Sequence, residues 1–202
     1  LVVFSPVSLD IIMLGTTAEI VLALHGVWLI ACRKPISEAH FDVSTRGFWK
    51  SLFAAVLVLP ANIVITFISS ISLSDTDYGL YQALQDLLIY SITWLVYPLL
   101  IINGCIFFDK RDRALAYLVP YNWASVPLGY ILAAVTIASG HASNSSSLMS
   151  FLLTIVYAVA IFLFFEVARQ GLKISKLAAI GIVTFDFILS IFLMSVLESL
   201  KL

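Results

Sequence analysis

Charge is what this chain has least of. Only 11% of its 202 residues are Asp, Glu, Lys or Arg, against 61% hydrophobic residues, whereas a soluble domain is about a quarter charged and near half apolar. Mean hydropathy is +1.06. A water-exposed fold is excluded by this balance, and an integral membrane protein is implied. The net charge of −1 and the confinement of basic residues to short loops exclude a nucleic-acid surface. Cysteine is nearly absent: Cys32 and Cys105 form no CxxC or zinc spacing, and both are expected as buried, unreactive thiols. The three histidines, His25, His40 and His141, lie in separate segments without HExxH, so neither a metal site nor a cofactor is expected. Neither GxSxG, GxxxxGK[ST] nor GxGxxG occurs, and the reading is of a protein that is not an enzyme.

What is present is a series of apolar runs, each of about 20 residues and long enough for a hydrocarbon core of about 30 Å. Five are expected to span, at 48–70, 87–108, 114–138, 148–167 and 177–197. They form one all-α polytopic domain over 1–202. A sixth segment, 11–32, is diluted by Thr16, Thr17, Glu19 and His25. At 100° per residue Thr16, Glu19, Ala23, Gly26 and Arg33 fall on one stripe, which suits an interfacial helix or one packed through small residues. An amphipathic interfacial helix is the favoured reading because Glu19 and His25 are costly in hydrocarbon; the alternative is a sixth span. Without a basic segment ahead of the first apolar run, no cleaved signal peptide is expected.

The connectors alternate in charge. Ten of the eleven Lys and Arg residues lie at one end of the spans, in 33–50, in DKRDR at 109–113 and in 168–176. The opposite connectors are SISLSDTDYG and SGHASNSSS, without a single Lys or Arg. The positive-inside rule puts the basic loops in the cytoplasm and the C-terminus outside, as in a bacterial inner membrane. Trp49 beside Lys50, Tyr78, Tyr81 and Tyr117 fall near span ends, where such rings anchor in the headgroups. Asn144-Ser145-Ser146 matches the N-glycosylation pattern on the expected outer face.

Within the spans, Asp186 is the exception: no other charged residue lies in 177–197. Counting 1.5 Å per residue puts it about 15 Å from the basic end. Asn62, Tyr97, Asn122, Ser125 and Tyr157 fall near the same depth on the other four spans, forming a candidate polar layer. Because every Lys and Arg is assigned to a connector or to the C-terminal end, Asp186 is expected as a neutral carboxyl bonded to Asn122, Asn62 or a tyrosine; the alternatives are a proton or cation site and a contact with another subunit. Pro60, Pro98, Pro120 and Pro127 interrupt the first three spans, as fixed kinks or a broken-helix site. Glu166 and Arg169, three apart, suit a local ion pair.

The stretch FDVSTRGFWKSLFAAVLVLPANIV at 41–64, with PYNWASV at 120–126, resembles small, uncharacterised bacterial inner-membrane proteins loosely grouped as Yip-like. The resemblance implies a five-span, non-enzymatic protein with a role in membrane organisation or partner binding, and transfers no site residues. The leading functional expectation is an accessory or scaffold subunit whose partners are the bilayer and other membrane proteins or itself. The alternative is a small proton- or cation-coupled transporter or channel using Asp186.

Overall fold

In a computed structural model the chain is all-helical over the described residues, which are 17–34, 40–72, 79–140 and 146–199. Tyr78, His141, Asn144 and Ser145, and the glycosylation pattern with them, lie outside the described residues. The elements are α1 (Thr17–Ala31), α2 (Thr45–Ser51), α3 (Phe53–Ser72), α4 (Leu80–Phe107), a 3-10 turn at Arg111–Arg113, α5 (Ala114–Gly140), α6 (Ser146–Leu172) and α7 (Lys176–Ser199). Among the described residues five helical segments are long and apolar enough to cross a membrane: Thr45–Ser69, Leu80–Phe107, Arg111–Ser139, Ser150–Leu172 and Lys176–Leu193. The first joins α2 and α3. Each overlaps one of the five expected segments.

The helix α5 is the axis of the bundle, packed by α3 and α6 on its flanks and by α1, α2 and α4. Its Tyr117, Leu118, Val119, Asn122 and Ala124 are all buried. Close packing on α6 depends on Gly171, where an added Cβ would come within 2.7 Å of the Ala116 carbonyl oxygen and 2.8 Å of the Tyr117 Cα. Backbones approach through such small residues because lipid supplies no hydrophobic drive for helix association. The peripheral helices α4 and α7 touch each other and leave long apolar faces outward, including Leu95, Leu99, Phe107, Ile188 and Phe192.

Pro60 cannot donate to the Val56 carbonyl. The phenols of Tyr90 and Tyr130 donate to the carbonyls on either side of it, Ala55 at 2.6 Å and Leu57 at 3.0 Å. They tie α4 and α5 to α3 where its ladder is weakest. The start of α2 is capped by Ser44, whose Oγ accepts from the Gly47 N–H at 3.1 Å, satisfying a donor that the first turn leaves open.

At about 22 Å, the fifteen residues of α1 are shorter than a hydrocarbon core of about 30 Å. It lies across α5, with Lys50 of α2 paired to Glu19 at 2.6 Å and Arg33, beyond its far end, paired to Glu166 of α6 at 3.1 Å. Both partners sit toward the basic end of the bundle. Ala23, Gly26, Val27 and Ile30 face inward, while Val21, Leu22 and Trp28 face out. The expected small-residue contact is present at Ala23 and Gly26, but the outer face is apolar as well, so amphipathic character is weak.

Three expectations are corrected. Tyr117 is not an interface anchor: it is fully buried, and its hydroxyl hydrogen-bonds that of Tyr97. Trp49 and Tyr81, by contrast, are exposed near span ends. Of the two thiols Cys105 is buried, but Cys32 is exposed, because it follows α1 directly where the chain turns back. Finally, α4 begins at Leu80, well before residue 87, since Gln82 and Asp86 dilute the apolar pattern without breaking the helix.

Candidate functional site

The Asp186 carboxyl is met by a residue of the central helix. Tyr121 donates its hydroxyl proton toward both oxygens, 3.2 Å from Oδ1 and 3.0 Å from Oδ2. The phenol is held by aromatic neighbours on both sides, Tyr97 with ring centroids 4.6 Å apart and Phe164 at 4.7 Å. Tyr97 in turn shares a hydroxyl–hydroxyl bond with Tyr117, one turn before Tyr121 on α5. Four helices thus contribute: α4 Tyr97, α5 Tyr117 and Tyr121, α6 Phe164 and α7 Asp186. Tyrosines pack well here because the ring is apolar and only the hydroxyl needs a partner.

Of the expected polar layer, the structure brings some members together. Tyr97, Asn122, Ser125 and Asp186 all line a cavity of about 170 Å³ between α4, α5 and α7, with Trp94 and Tyr121. Tyr157 joins Asp186 in a second, larger groove between α6 and α7. Asn62 lines neither, since α3 packs on a different flank of α5. Asn122 does not bond Asp186: its Nδ2 donates to Ser51 Oγ at 2.9 Å, and that hydroxyl donates to the Phe48 carbonyl at 2.7 Å. This fixes the amide orientation, because Ser51 has spent its proton. Asn122 Oδ1 is left buried without a hydrogen-bond partner among the described residues. Ser125 bonds back to the Tyr121 carbonyl at 3.2 Å.

The partner that sequence reasoning missed is Tyr121. Counting depth along each helix gives no rotation about its axis, so Asn122 was indistinguishable from its neighbour. A usable signal lay in the spacing of Tyr117 and Tyr121, four apart and therefore on one face.

Phe164, against Tyr121, is only two residues, about 3 Å of rise, from Glu166. The Glu166 carboxylate is itself buried and receives Arg33 Nε at 3.1 Å, Arg169 Nη2 at 2.7 Å and Gln170 Nε2 at 3.4 Å. The local Glu166–Arg169 pair is present as expected; Arg33, from 133 residues away, was not foreseen.

The groove between α6 and α7 holds about 640 Å³. Its walls are Tyr157, Ala160, Ile161 and Phe164 on α6 and Val183, Asp186, Phe187, Ser190, Ile191 and Ser195 on α7. Both sets follow the i, i+3, i+4, i+7 spacing of a helix face. Tyr157 and Ser190 are exposed, and Asp186 is half-buried. No basic side chain lines either cavity. A carboxylate has about four acceptor positions, and one phenol proton serves only part of that capacity.

His25 and His40 come together with ring centroids 5.4 Å apart. Among the described residues no group of three or more His, Cys, Asp or Glu gathers as a metal site would require. Comparison with protein-family models, with curated proteins and with solved structures finds no match to this chain.

Proposed function

We propose that the chain is a non-enzymatic accessory or scaffold subunit of a bacterial inner membrane, with its basic loops cytoplasmic and its C-terminus outside, and that it seats a transmembrane helix of another membrane protein in the α6–α7 groove. The observation that carries this reading is the polar row Tyr157, Asp186, Ser190 and Ser195 along a helix-spaced groove. Polar groups at membrane depth face protein or water rather than lipid. A partner helix with Lys, Arg, Asn or Ser opposite Asp186 would complete its hydrogen bonding, and small-residue contacts would seat the rest. The basic connectors support the orientation.

Gentle solubilisation of native membranes followed by sizing tests the reading. A defined complex larger than the 22.2 kDa chain with its detergent is expected; a free monomer under every mild condition contradicts it.

A second reading draws on one further observation. The Asp186–Tyr121 pair borders both cavities, the one between α4, α5 and α7 and the groove between α6 and α7. A proton- or cation-coupled transporter would place its ionisable group in such a dividing wall. Ion or proton flux in reconstituted vesicles, lost in a folded Asp186→Asn variant, would favour transport over partner binding.

A further inference from the structure

A further cleft, away from Asp186, lies between the basic ends of α4 and α7. It holds about 590 Å³ and is walled by Leu100, Gly104 and Phe108 on the α4 side, Gly181 and Phe185 on α7, and Ile174 between α6 and α7. This volume is within the range of about 300–1,000 Å³ common to small-molecule sites. The two glycines recess opposite walls: a Cβ at either Gly104 or Gly181 meets nothing within 4 Å.

The lining has a single charged side chain, Lys110. Around it the connector 109–113 supplies Arg111 and Arg113, and the connector 173–176 supplies Lys173 and Lys176, against only two acids, Asp109 and Asp112. None of these five cations forms an ion pair among the described residues. Of the other five cations at this end, Arg33, Lys50 and Arg169 are paired to Glu19 or Glu166. An apolar cleft between two spans, with Lys110 in its lining and four further cations on the adjoining connectors, matches one amphiphile in both parts.

We infer that the α4–α7 cleft binds an anionic phospholipid, one acyl chain lying against Gly104 and Gly181 and the headgroup phosphate held at Lys110 with help from the neighbouring connector cations. An apolar chain fills space that no described side chain occupies, and the phosphate meets cations that form no ion pair among the described residues. A zwitterionic lipid satisfies the cleft but gains less at the mouth, because its own cation opposes Lys110. Basic pockets between spans select anionic headgroups by this difference.

The test is retention of phosphatidylglycerol against phosphatidylcholine of matched chains, read by mass spectrometry of the intact protein released from mixed micelles. Wild type should retain phosphatidylglycerol preferentially. Lys110→Gln should reduce that preference about fivefold, the factor that one interfacial cation contributes. Gly104→Leu should lower retention of both lipids without changing the preference per lipid bound, and Gly181→Leu, filling the opposite wall, should reproduce it. Equal retention of the two lipids by wild type overturns the inference. So does undiminished binding in both folded leucine variants, or a leucine variant whose chief effect is loss of self-association, since the cleft would then hold protein.

Discussion

Tyr121 on α5 and Asp186 on α7, 65 residues apart, are joined by one phenol that reaches both carboxyl oxygens, at 3.2 and 3.0 Å. This bond is the direct polar tie between the central helix and the peripheral α7. Tyr121→Phe removes the donor but keeps the ring stack, so thermal unfolding in detergent should show a loss of about 1–3 kcal/mol. Asp186→Asn preserves shape and an acceptor and should unfold near wild type. Asp186→Leu should be worse than Asn, because it orphans the Tyr121 hydroxyl.

Glu166 is the buried end of a three-residue ion cluster in which Arg33 is 64% exposed at its side chain and Arg169 36%. Arg33→Gln should cost under about 1 kcal/mol, since an exposed partner is well screened and Arg169 remains. Replacing both arginines by Gln should cost far more, about 3–5 kcal/mol, by leaving the carboxylate buried and uncompensated. A double-mutant cycle followed by thermal unfolding measures the difference; additive small losses would contradict it.

Gly171→Ala should destabilise by about 1–3 kcal/mol, the cost of overpacking a tight contact. The obstacle at 2.7 and 2.8 Å is the α5 backbone, which cannot rotate away as a flexible side chain would. Gly181→Ala, with open space around it, is the matched control and should be nearly silent.

Asp42, ahead of α2, accepts from the Ser44 N–H at 3.0 Å. Hydrogen bonds from Ser44, with Lys50 and Arg46 nearby, hold its carboxyl below the usual carboxylate range. A carboxyl lowered on folding adds stability above its unfolded value, about 3.9, and that stability fades as pH falls through the folded value. Wild type should therefore be the more stable of the two above about pH 4, with the advantage over Asp42→Asn shrinking as pH falls further and gone below the folded-state value.

The spans were legible because membrane helices announce themselves by length and uninterrupted hydropathy, and the basic connectors were legible from position alone. Helix faces were not. Nearly every residue of α5 is apolar or small, so no periodicity marks which side meets α3 and which meets α6, and Tyr117 could not be told from a headgroup anchor. Asp186 stood out as the lone charge in its span, yet its partner depended on helix rotation. The Arg33–Glu166 pair depended on how α1 crosses the bundle, a tertiary fact with no local signature.

A partner helix seated in the α6–α7 groove at Asp186, as proposed above, would lie within reach of a probe on the groove wall. A photo-crosslinking residue placed at Ser190, on the groove, tests it in native membranes against the same probe at Ile63, exposed on α3 away from the groove. A discrete protein adduct is expected from Ser190, absent from Ile63 and lost with Asp186→Leu in a folded protein. Lipid adducts alone at both positions, or equal protein adducts at both, would contradict it.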